Sequence, residues 1–153
     1  MRALVTGAGK RLGREMALYL ARRGYDVAVH YASSRKDAEA LAKEITEMGR
    51  KAVALRADLL IETQVEKLIG SAVQGLGGPL TVLINNASVF EYDDALTTDM
   101  ASLDAHWRAN TGPAVLLAQA LFSSTLAVWR SKGAFAVYLL AWGAAFMAFS
   151  VLT

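Results

Sequence analysis

The feature that most constrains the fold is a glycine-rich run at residues 6–13, with the sequence Thr-Gly-Ala-Gly-Lys-Arg-Leu-Gly. Apolar residues 3–5 precede it and helix-favouring residues follow it, so the pattern predicts a strand, a tight turn and a helix. Gly7 and Gly9 allow the backbone to turn without a Cβ, and Gly13 allows the new helix to pack closely on the sheet. The start of such a helix offers free N–H groups and the positive end of a dipole, so the run predicts a phosphate-binding turn.

The segment up to about residue 121 alternates predicted strands with predicted helices. Gly24 and Gly49 are expected to end the first two helices, and Ser34 with Asp37 has the spacing of a capping box at the start of the second. Strands and helices that alternate through short loops predict a parallel sheet covered on both faces, the doubly wound α/β class. The predicted strands cover residues 3–6, 27–31, 52–55 and 80–84, and the predicted helices cover residues 13–23, 34–48 and 62–73.

Composition narrows the classes of function. A chain of 153 residues has room for one domain with a real core, and its net charge of +2 is too small to indicate a nucleic-acid-binding surface. The chain has no cysteine, and its two histidines, His30 and His106, lie far apart in the sequence, so neither a disulfide nor a metal site is expected. Residues 1–4 run directly into the first predicted strand, which leaves no space for a signal peptide and predicts a cytoplasmic protein.

Four motifs together resemble the short-chain dehydrogenase/reductase family over residues 1 to about 120. They are the glycine-rich turn, in which Arg11 replaces the middle glycine, an Asp after strand three (Asp58), an Asn-Asn-Ala sequence after strand four that includes Asn86 and Ala87, and an Asn before a long helix (Asn110). The resemblance implies a Rossmann-type parallel sheet that binds a dinucleotide. It implies an NADP-binding domain at residues 1–121 and a divergent apolar tail at residues 122–153, with the sheet truncated after strand 4 or 5.

Within the family, the chain is most similar to the pteridine reductases and dihydromonapterin reductases. This resemblance implies a reductase that transfers a hydride from NADPH to a C=N or C=O bond of a small molecule such as a pterin. Ser88 and Phe90 would contact that substrate, with Phe90 stacked on the flat pterin; the alternative is that Phe90 is a plug in the hydrophobic core. The residues that carry the resemblance are the turn at 6–13, His30, Tyr31, Ser34 and the run 86–90.

The end of the second predicted strand favours NADPH over NADH. A dinucleotide fold that prefers NAD places a carboxylate there for the ribose hydroxyls, whereas the first acid after this strand is Asp37. Arg11, Ser33 and Ser34 are suitable donors to a phosphate, Arg35 is a further candidate, and His30 lies alongside. Because a cation at a helix N-terminus is unfavourable, Arg11 indicates an anionic partner more than a solvated helix start. Ser34 fits a helix cap equally well, and both roles are compatible.

The resemblance implies a larger set of cofactor contacts. Asp58 and Leu59 would flank the adenine, although Asp58 also fits the start of a helix. The expected contacts are Thr6, Gly7, Lys10, Arg11, Leu12, Gly13, His30, Tyr31, Ser33, Ser34, Asp58, Leu59, Asn86, Ala87 and Ser88.

The family's chemistry uses a Tyr hydroxyl as the proton donor, with its pKa lowered by a Lys four residues later. The five tyrosines of this chain have Arg23, Val29, Arg35, Leu96 and Trp142 at that spacing, so the pair is absent. Asn110 is the expected catalytic residue; in an intact relative it helps to hold the proton-relay water and the Tyr/Lys pair. We therefore expect little or no reductase activity from this chain by itself. The alternative is a non-catalytic NADP-binding or membrane-tethered module.

The last 21 residues, 133–153, contain no charge. Three interpretations of this tail are open: a shifted or truncated reading frame, a buried or interfacial segment made of a fifth strand at 134–140 and a helix, or a membrane anchor. Arg130 and Lys132 would flank such an anchor on the side that the positive-inside rule expects. The family resemblance also implies a homo-oligomer that pairs through the long helix beginning near Pro113.

Overall fold

A computed structural model describes residues 1–90, 96–132, 138–142 and 145–149, and only the backbone from residue 125 onward. Strands and helices alternate through the first half of the chain, as predicted. The elements in order are β1 Arg2–Val5, α1 Arg11–Arg22, β2 Asp26–Tyr31, α2 Arg35–Glu47, β3 Ala52–Arg56, α3 Glu62–Leu76, β4 Val82–Ile84, α4 Met100–His106, a π-helical turn Trp107–Thr111, α5 Gly112–Lys132, β5 Tyr138–Trp142 and β6 Ala145–Phe149.

The strands form one sheet in the order β3-β2-β1-β4-β5-β6. The first four strands are parallel, and Ala3 of β1 lies beside Val27 of β2 on one side and Val82 of β4 on the other. This arrangement confirms the predicted doubly wound α/β fold. A fifth strand is present, since Leu139 of β5 pairs with Ile84, while β6 runs antiparallel to β5 and departs from a purely parallel sheet.

The interpretation of the apolar tail stays a prediction. The proposed fifth strand at 134–140 overlaps β5 only in its last three residues, and residues 133–137, 143–144 and 150–153 lie outside those that the structure describes. Among the described residues, no helix combines the length and the hydropathy needed to cross a bilayer.

Helices cover both faces of the sheet, which explains why its strands are apolar in sequence rather than alternating. On one face, α1 and α2 pack on Val27 and Val29 of β2. On the other, α3 and α5 pack on Leu4 and Ala28, and Leu117 of α5 is fully buried there. The consequence is a rigid central strand, β1, whose carboxyl end carries the glycine-rich turn.

The helix ends confirm one sequence signal and correct another. Gly24 and Gly49 follow α1 and α2 with left-handed φ angles of +88° and +79°, as expected of C-terminal stops. The predicted capping box at Ser34 and Asp37 is wrong: Ser34 is the N-cap of α2, but its φ of −84° and ψ of 54° depart from the extended conformation usual for an N-cap, and its side chain makes no capping bond. The Asp37 carboxylate pairs with Lys10 at 3.2 Å.

A capping box does occur in α4, a helix that the sequence analysis did not predict. Asp99 accepts a hydrogen bond from the Ser102 backbone N–H at 2.8 Å, and the Ser102 hydroxyl lies 3.2 Å from the Asp99 backbone N–H. The Asp-x-x-Ser spacing was the available signal, but it departs from the Ser/Thr-x-x-Glu pattern by which such boxes are usually recognised.

Candidate functional site

The glycine-rich turn leaves the carboxyl end of β1 at the point where the strand order reverses. The first crossover leads from β1 to β2 and β3, whereas β4 returns to the opposite side of β1, and the crevice between such halves is where doubly wound folds bind ligands. Gly7 opens the turn in the left-handed region, with φ +61°. The Gly7 N–H donates to His30 Nδ1 at 3.0 Å and the Ala8 N–H donates to the His30 carbonyl at 2.9 Å, so β2 holds the turn in place.

Close packing explains the other two glycines of the turn. A Cβ added at Gly9 would collide with the Ser34 hydroxyl. A Cβ added at Gly13 would collide with the Gly7 carbonyl oxygen and lie 2.5 Å from Asn86 Nδ2. The turn, the start of α2 and the end of β4 therefore meet with no room for side chains, leaving backbone N–H groups at the start of α1 for a phosphate, so the residues present fit a dinucleotide.

Thr6 and Asn86 tie the ends of β1 and β4 together, and we call this set of contacts the Thr6–Asn86 bridge. The buried Thr6 hydroxyl accepts from the backbone N–H groups of Asn86 at 2.9 Å and Ala87 at 3.0 Å, and donates to the Ile84 carbonyl at 3.3 Å. The Asn86 amide donates to the carbonyls of Thr6 at 3.0 Å and Gly7 at 3.2 Å. The polar groups of both side chains therefore hold the two strand ends that border the crevice.

His30 occupies a different place from the one expected. Its side chain is 1% exposed and both ring nitrogens are engaged, Nδ1 with the Gly7 N–H and Nε2 with the Ala57 carbonyl, each at 3.0 Å. Burial lowers the pKa of His30 below 6.5, opposed by the hydrogen bond to Ala57. His30 is therefore a neutral support beneath the turn, and we no longer expect it to act as a donor to a phosphate.

Arg11 is the basic residue of the turn whose charge is available to an anionic ligand. Three of its basic neighbours are paired with carboxylates: Lys10 with Asp37 at 3.2 Å, Arg14 with Glu44 at 2.5 Å and Arg35 with Glu39 at 2.7 Å. Within the described part of the chain, Arg11 has no carboxylate partner and is exposed to solvent.

The backbone conformation of Arg11 is one that favours glycine, which is the residue that Arg11 replaces in the family's turn. Its φ is +51°, and it is the single non-glycine residue with a positive φ among those described. A left-handed backbone costs a residue with a Cβ about 1 kcal/mol. The turn therefore has the backbone shape that a glycine would adopt without strain. The long cationic side chain of Arg11 lines a crevice of about 300 Å³ between α1 and α2.

The remaining predicted cofactor residues divide between the surface and the core. Ser33 is exposed, and Leu12 is 61% exposed beside the turn. Asp58 is exposed and its carboxylate accepts from the Leu60 N–H at 3.0 Å, which is a local turn before α3, while Leu59 is partly buried. Tyr31 is buried with the residues of α1 and α2, and its side chain interacts electrostatically with Arg35 at the start of α2.

A second cleft, of about 400 Å³, lies beyond the end of β4. Ser88 and Phe90 form one wall, and Phe90 is 82% exposed, which rules out its role as a core plug. The opposite wall comes from α4 and the π-helical turn. The lining residues are Ser88, Val89, Phe90, Leu103, His106, Trp107, Asn110 and Thr111.

Asn110 joins the two walls of this cleft. Its Oδ1 accepts from the Val89 N–H at 2.8 Å and its Nδ2 donates to the Val89 carbonyl at 2.9 Å, so the side-chain amide pairs with the main chain as a neighbouring strand would. Asn110 lies in the π-helical turn, a feature that is frequent at functional sites.

Replacing Asn110 with aspartate is expected to lower the free energy of unfolding by about 1–2 kcal/mol, because a carboxylate would face the Val89 carbonyl. The Val89 N–H keeps a carboxylate oxygen as its acceptor, so the loss is confined to the carbonyl side of the pair. Gln74→Glu, the same change on an exposed position of α3, should alter the free energy of unfolding by no more than about 0.5 kcal/mol. A wild-type free energy of unfolding for Asn110→Asp would contradict the pairing.

Comparison with known proteins identifies the family to which this fold and site belong. The family model for short chain dehydrogenases matches residues 1–135. The chain belongs to this family. Among curated short-chain dehydrogenase relatives, the 3-oxoacyl-[acyl-carrier-protein] reductase FabG of Staphylococcus aureus is 38% identical over 109 residues, which are 64% of this chain and 44% of that protein.

Solved short-chain dehydrogenase structures share the fold. FolM Alternative dihydrofolate reductase 1 from Brucella suis, in complex with NADP, is 35% identical with a TM-score of 0.73, over 80% of this chain and 50% of that one. A short chain dehydrogenase from Burkholderia cenocepacia, also in complex with NADP, is 31% identical with a TM-score of 0.74, over 80% of this chain and 49% of that one. The chain spans about half the length of the relatives that it matches.

Sequence reasoning missed part of this short-chain dehydrogenase site. Leu103, His106 and Trp107 line the second cleft because α4 and the π-helical turn bring them opposite Phe90. The capping box at Asp99 and Ser102 would have placed a helix there, and with it these three side chains.

Proposed function

We propose that residues 1–121 bind NADPH at the β1–α1 turn and belong to a reductase that transfers a hydride from NADPH to a C=N or C=O bond, in the manner of the pteridine reductases. The observation that carries the proposal is the crevice itself, in which backbone atoms leave no room for a Cβ at Gly7 or Gly13. NADPH, when bound, would supply the hydride. The chain's own residues hold it: the turn and the α1 N-terminus on the pyrophosphate, and the Thr6–Asn86 bridge behind it.

The charges around the turn support a phosphate on the ribose. No carboxylate follows β2 before Asp37, and that group is already paired with Lys10. Arg11, without a carboxylate partner in the described residues, together with the hydroxyls of Ser33 and Ser34, would supply donors to a group of charge near −2. The two solved relatives described above were obtained with NADP.

The second cleft suits a flat substrate. Phe90 and Trp107, exposed by 82% and 62%, offer aromatic surface on its two walls, with the polar groups of Ser88 and Asn110 between them. We propose that a pterin or a similar planar C=N or C=O compound lies there, with Phe90 against its face and Asn110 as the family's catalytic Asn.

Activity and partners follow as further proposals. Because no tyrosine in the sequence has a lysine four residues later, we propose that the chain binds NADPH with little turnover by itself; a non-catalytic NADP-binding module is therefore the second candidate.

Val115 and Phe122 of α5 are exposed apolar residues, which supports pairing of two copies through this helix. A cytoplasmic location and no nucleic-acid partner complete the proposal.

The first experiment measures the dissociation constants of NADPH and NADH by fluorescence titration, and NADPH oxidation with dihydrobiopterin. We expect tighter binding of NADPH and almost no oxidation. Turnover at an ordinary enzymatic rate would contradict the proposed dependence on a Tyr/Lys pair. Absence of binding by both nucleotides would contradict the nucleotide site.

Arg11→Gly should separate cofactor choice from stability. Loss of the charged donor is expected to weaken NADPH binding about tenfold or more and to leave NADH binding unchanged. Relief of the left-handed strain should raise the free energy of unfolding by about 1 kcal/mol.

Arg11→Lys is the matched variant, because it keeps the charge and the strain. It should retain much of the preference for NADPH with wild-type stability. Equal weakening of NADPH and NADH in Arg11→Gly would show that Arg11 does not read the ribose phosphate.

A further inference from the structure

We propose that His30 is a positioning residue for the nucleotide site, and that its protonation releases the phosphate turn and weakens dinucleotide binding in mild acid. The proposal rests on the proposed binding of NADPH at the β1–α1 turn. It assigns to His30 a role that is different from contact with the cofactor.

His30 connects the two segments that would contact the pyrophosphate and the adenine of the dinucleotide. Nδ1 holds the Gly7 N–H of the phosphate turn, and Nε2 holds the Ala57 carbonyl in the loop that carries Asp58. The backbone on both sides reinforces the link, since the His30 carbonyl accepts from Ala8 and the Tyr31 carbonyl accepts from Ala57. The end of β2 therefore sets the spacing between turn and loop.

The partners of the ring determine its protonation state. A backbone N–H can only donate, so Nδ1 must be an acceptor without a proton; a carbonyl can only accept, so Nε2 must carry the proton. The turn is thus compatible with one neutral tautomer. A proton added at Nδ1 would face the Gly7 N–H, so the hydrogen bond would be replaced by a repulsive contact between two donors, and a cation would be buried at a position that is 1% exposed.

Among the residues that the structure describes, no nearby charge compensates for that cation. Because side chains alternate along a strand, His30 shares the α3 face of the sheet with Ala28. The titratable groups of the elements packed on this face are exposed, and none contributes to the pKa of His30, which burial lowers. They are Asp58 in the loop after β3 and Glu62, Glu66 and Lys67 on α3; the described side chains of α5 include none, and those of α1 and α2 lie on the opposite face.

The direction of the pH dependence follows from linkage. A histidine with a folded-state pKa below its unfolded value of 6.5 contributes fully above pH 6.5, and the contribution is lost as the pH falls from 6.5 through the folded-state pKa. If binding needs neutral His30, the dissociation constant should rise by up to about tenfold per pH unit below the folded-state pKa.

The test is the dissociation constant of NADPH and of NADH from pH 8 to pH 5, for the full chain and for His30→Gln. Glutamine supplies one acceptor and the needed donor but does not titrate. We expect the wild-type affinity to fall more steeply in acid than that of His30→Gln for both nucleotides, with the ratio of the two dissociation constants growing by up to about tenfold per pH unit below the folded-state pKa of His30. The 2′-phosphate of NADPH titrates in the same range, but equally for both proteins, and NADH lacks it. Identical profiles for the two proteins would overturn the proposal.

A second measurement protects the test against a variant that does not fold. In the wild-type chain, the amide resonance of Gly7 and the ring nitrogens of His30 should titrate together, with Nδ1 unprotonated at pH 8. A Gly7 amide that does not move with the His30 titration would overturn the proposal. Lack of nucleotide binding at pH 8 would instead count against the proposed function, and the resonances would still decide whether His30 controls the turn.

Discussion

Replacing Gly13 with alanine should lower the free energy of unfolding by about 2–3 kcal/mol and weaken NADPH binding by at least tenfold. The new Cβ would collide with the Gly7 carbonyl oxygen, lie 2.5 Å from Asn86 Nδ2 and lie 3.0 Å from Ala8 Cα. Two of these three neighbours are backbone atoms, which cannot turn aside as a flexible side chain does. Relief requires α1 to move away from the turn or Asn86 to give up its two carbonyl partners.

Gly70→Ala is the matched control for this change. Gly70 is an exposed residue within α3, and an added Cβ would meet nothing within 4 Å. The substitution should therefore stabilise the protein by about 0.5–1 kcal/mol through helix propensity alone. Urea unfolding and NADPH titration of both variants measure the contrast. Wild-type stability of Gly13→Ala would show that the turn has more space than this structure gives it.

Replacing Thr6 with valine should cost about 2–3 kcal/mol of unfolding free energy. The shapes are nearly the same, so the cost isolates the hydroxyl at the centre of the Thr6–Asn86 bridge. Its removal leaves the buried N–H groups of Asn86 and Ala87 without their acceptor. The end of β4 should separate from β1, and nucleotide affinity should fall with stability.

Thr46→Val provides the comparison. The Thr46 hydroxyl also bonds a carbonyl, that of Ala42 at 2.8 Å, but on the exposed side of α2. Its loss should change the free energy of unfolding by no more than about 0.5 kcal/mol. Equal costs for the two valine variants in urea unfolding would contradict the central role of Thr6.

The backbone of this fold could be predicted from sequence, and several side-chain roles could not. Apolar runs and glycine stops are local signals, so β1 to β4 and the ends of α1 and α2 were placed within a few residues. The roles of His30 and Asp37 depend on partners far along the chain. The His30 ring bonds Gly7 and Ala57, and the Asp37 carboxylate pairs with Lys10, which lies 27 positions earlier in the chain.

The candidate site divides in the same way. The glycines of the turn could be assigned from residue type alone because only glycine tolerates those close approaches. Phe90 was proposed from a family resemblance, but the opposite wall with Trp107 was not found, since α4 carries a weak helical signal and an unusual cap. The specific roles of the predicted contact residues stay predictions.

The sheet order also bears on the path by which the chain folds. Ala3 reaches its β2 neighbour Val27 by closing a loop of 24 residues, but reaches Val82 of β4 only by closing one of 79. The longer closure costs about 1 kcal/mol more in chain entropy. During synthesis, β1 can therefore pair with β2 early, whereas its pairing with β4 requires that some eighty residues have been made. Because the Thr6–Asn86 bridge belongs to that second pairing, the nucleotide crevice is completed late, after the first βαβ unit has formed.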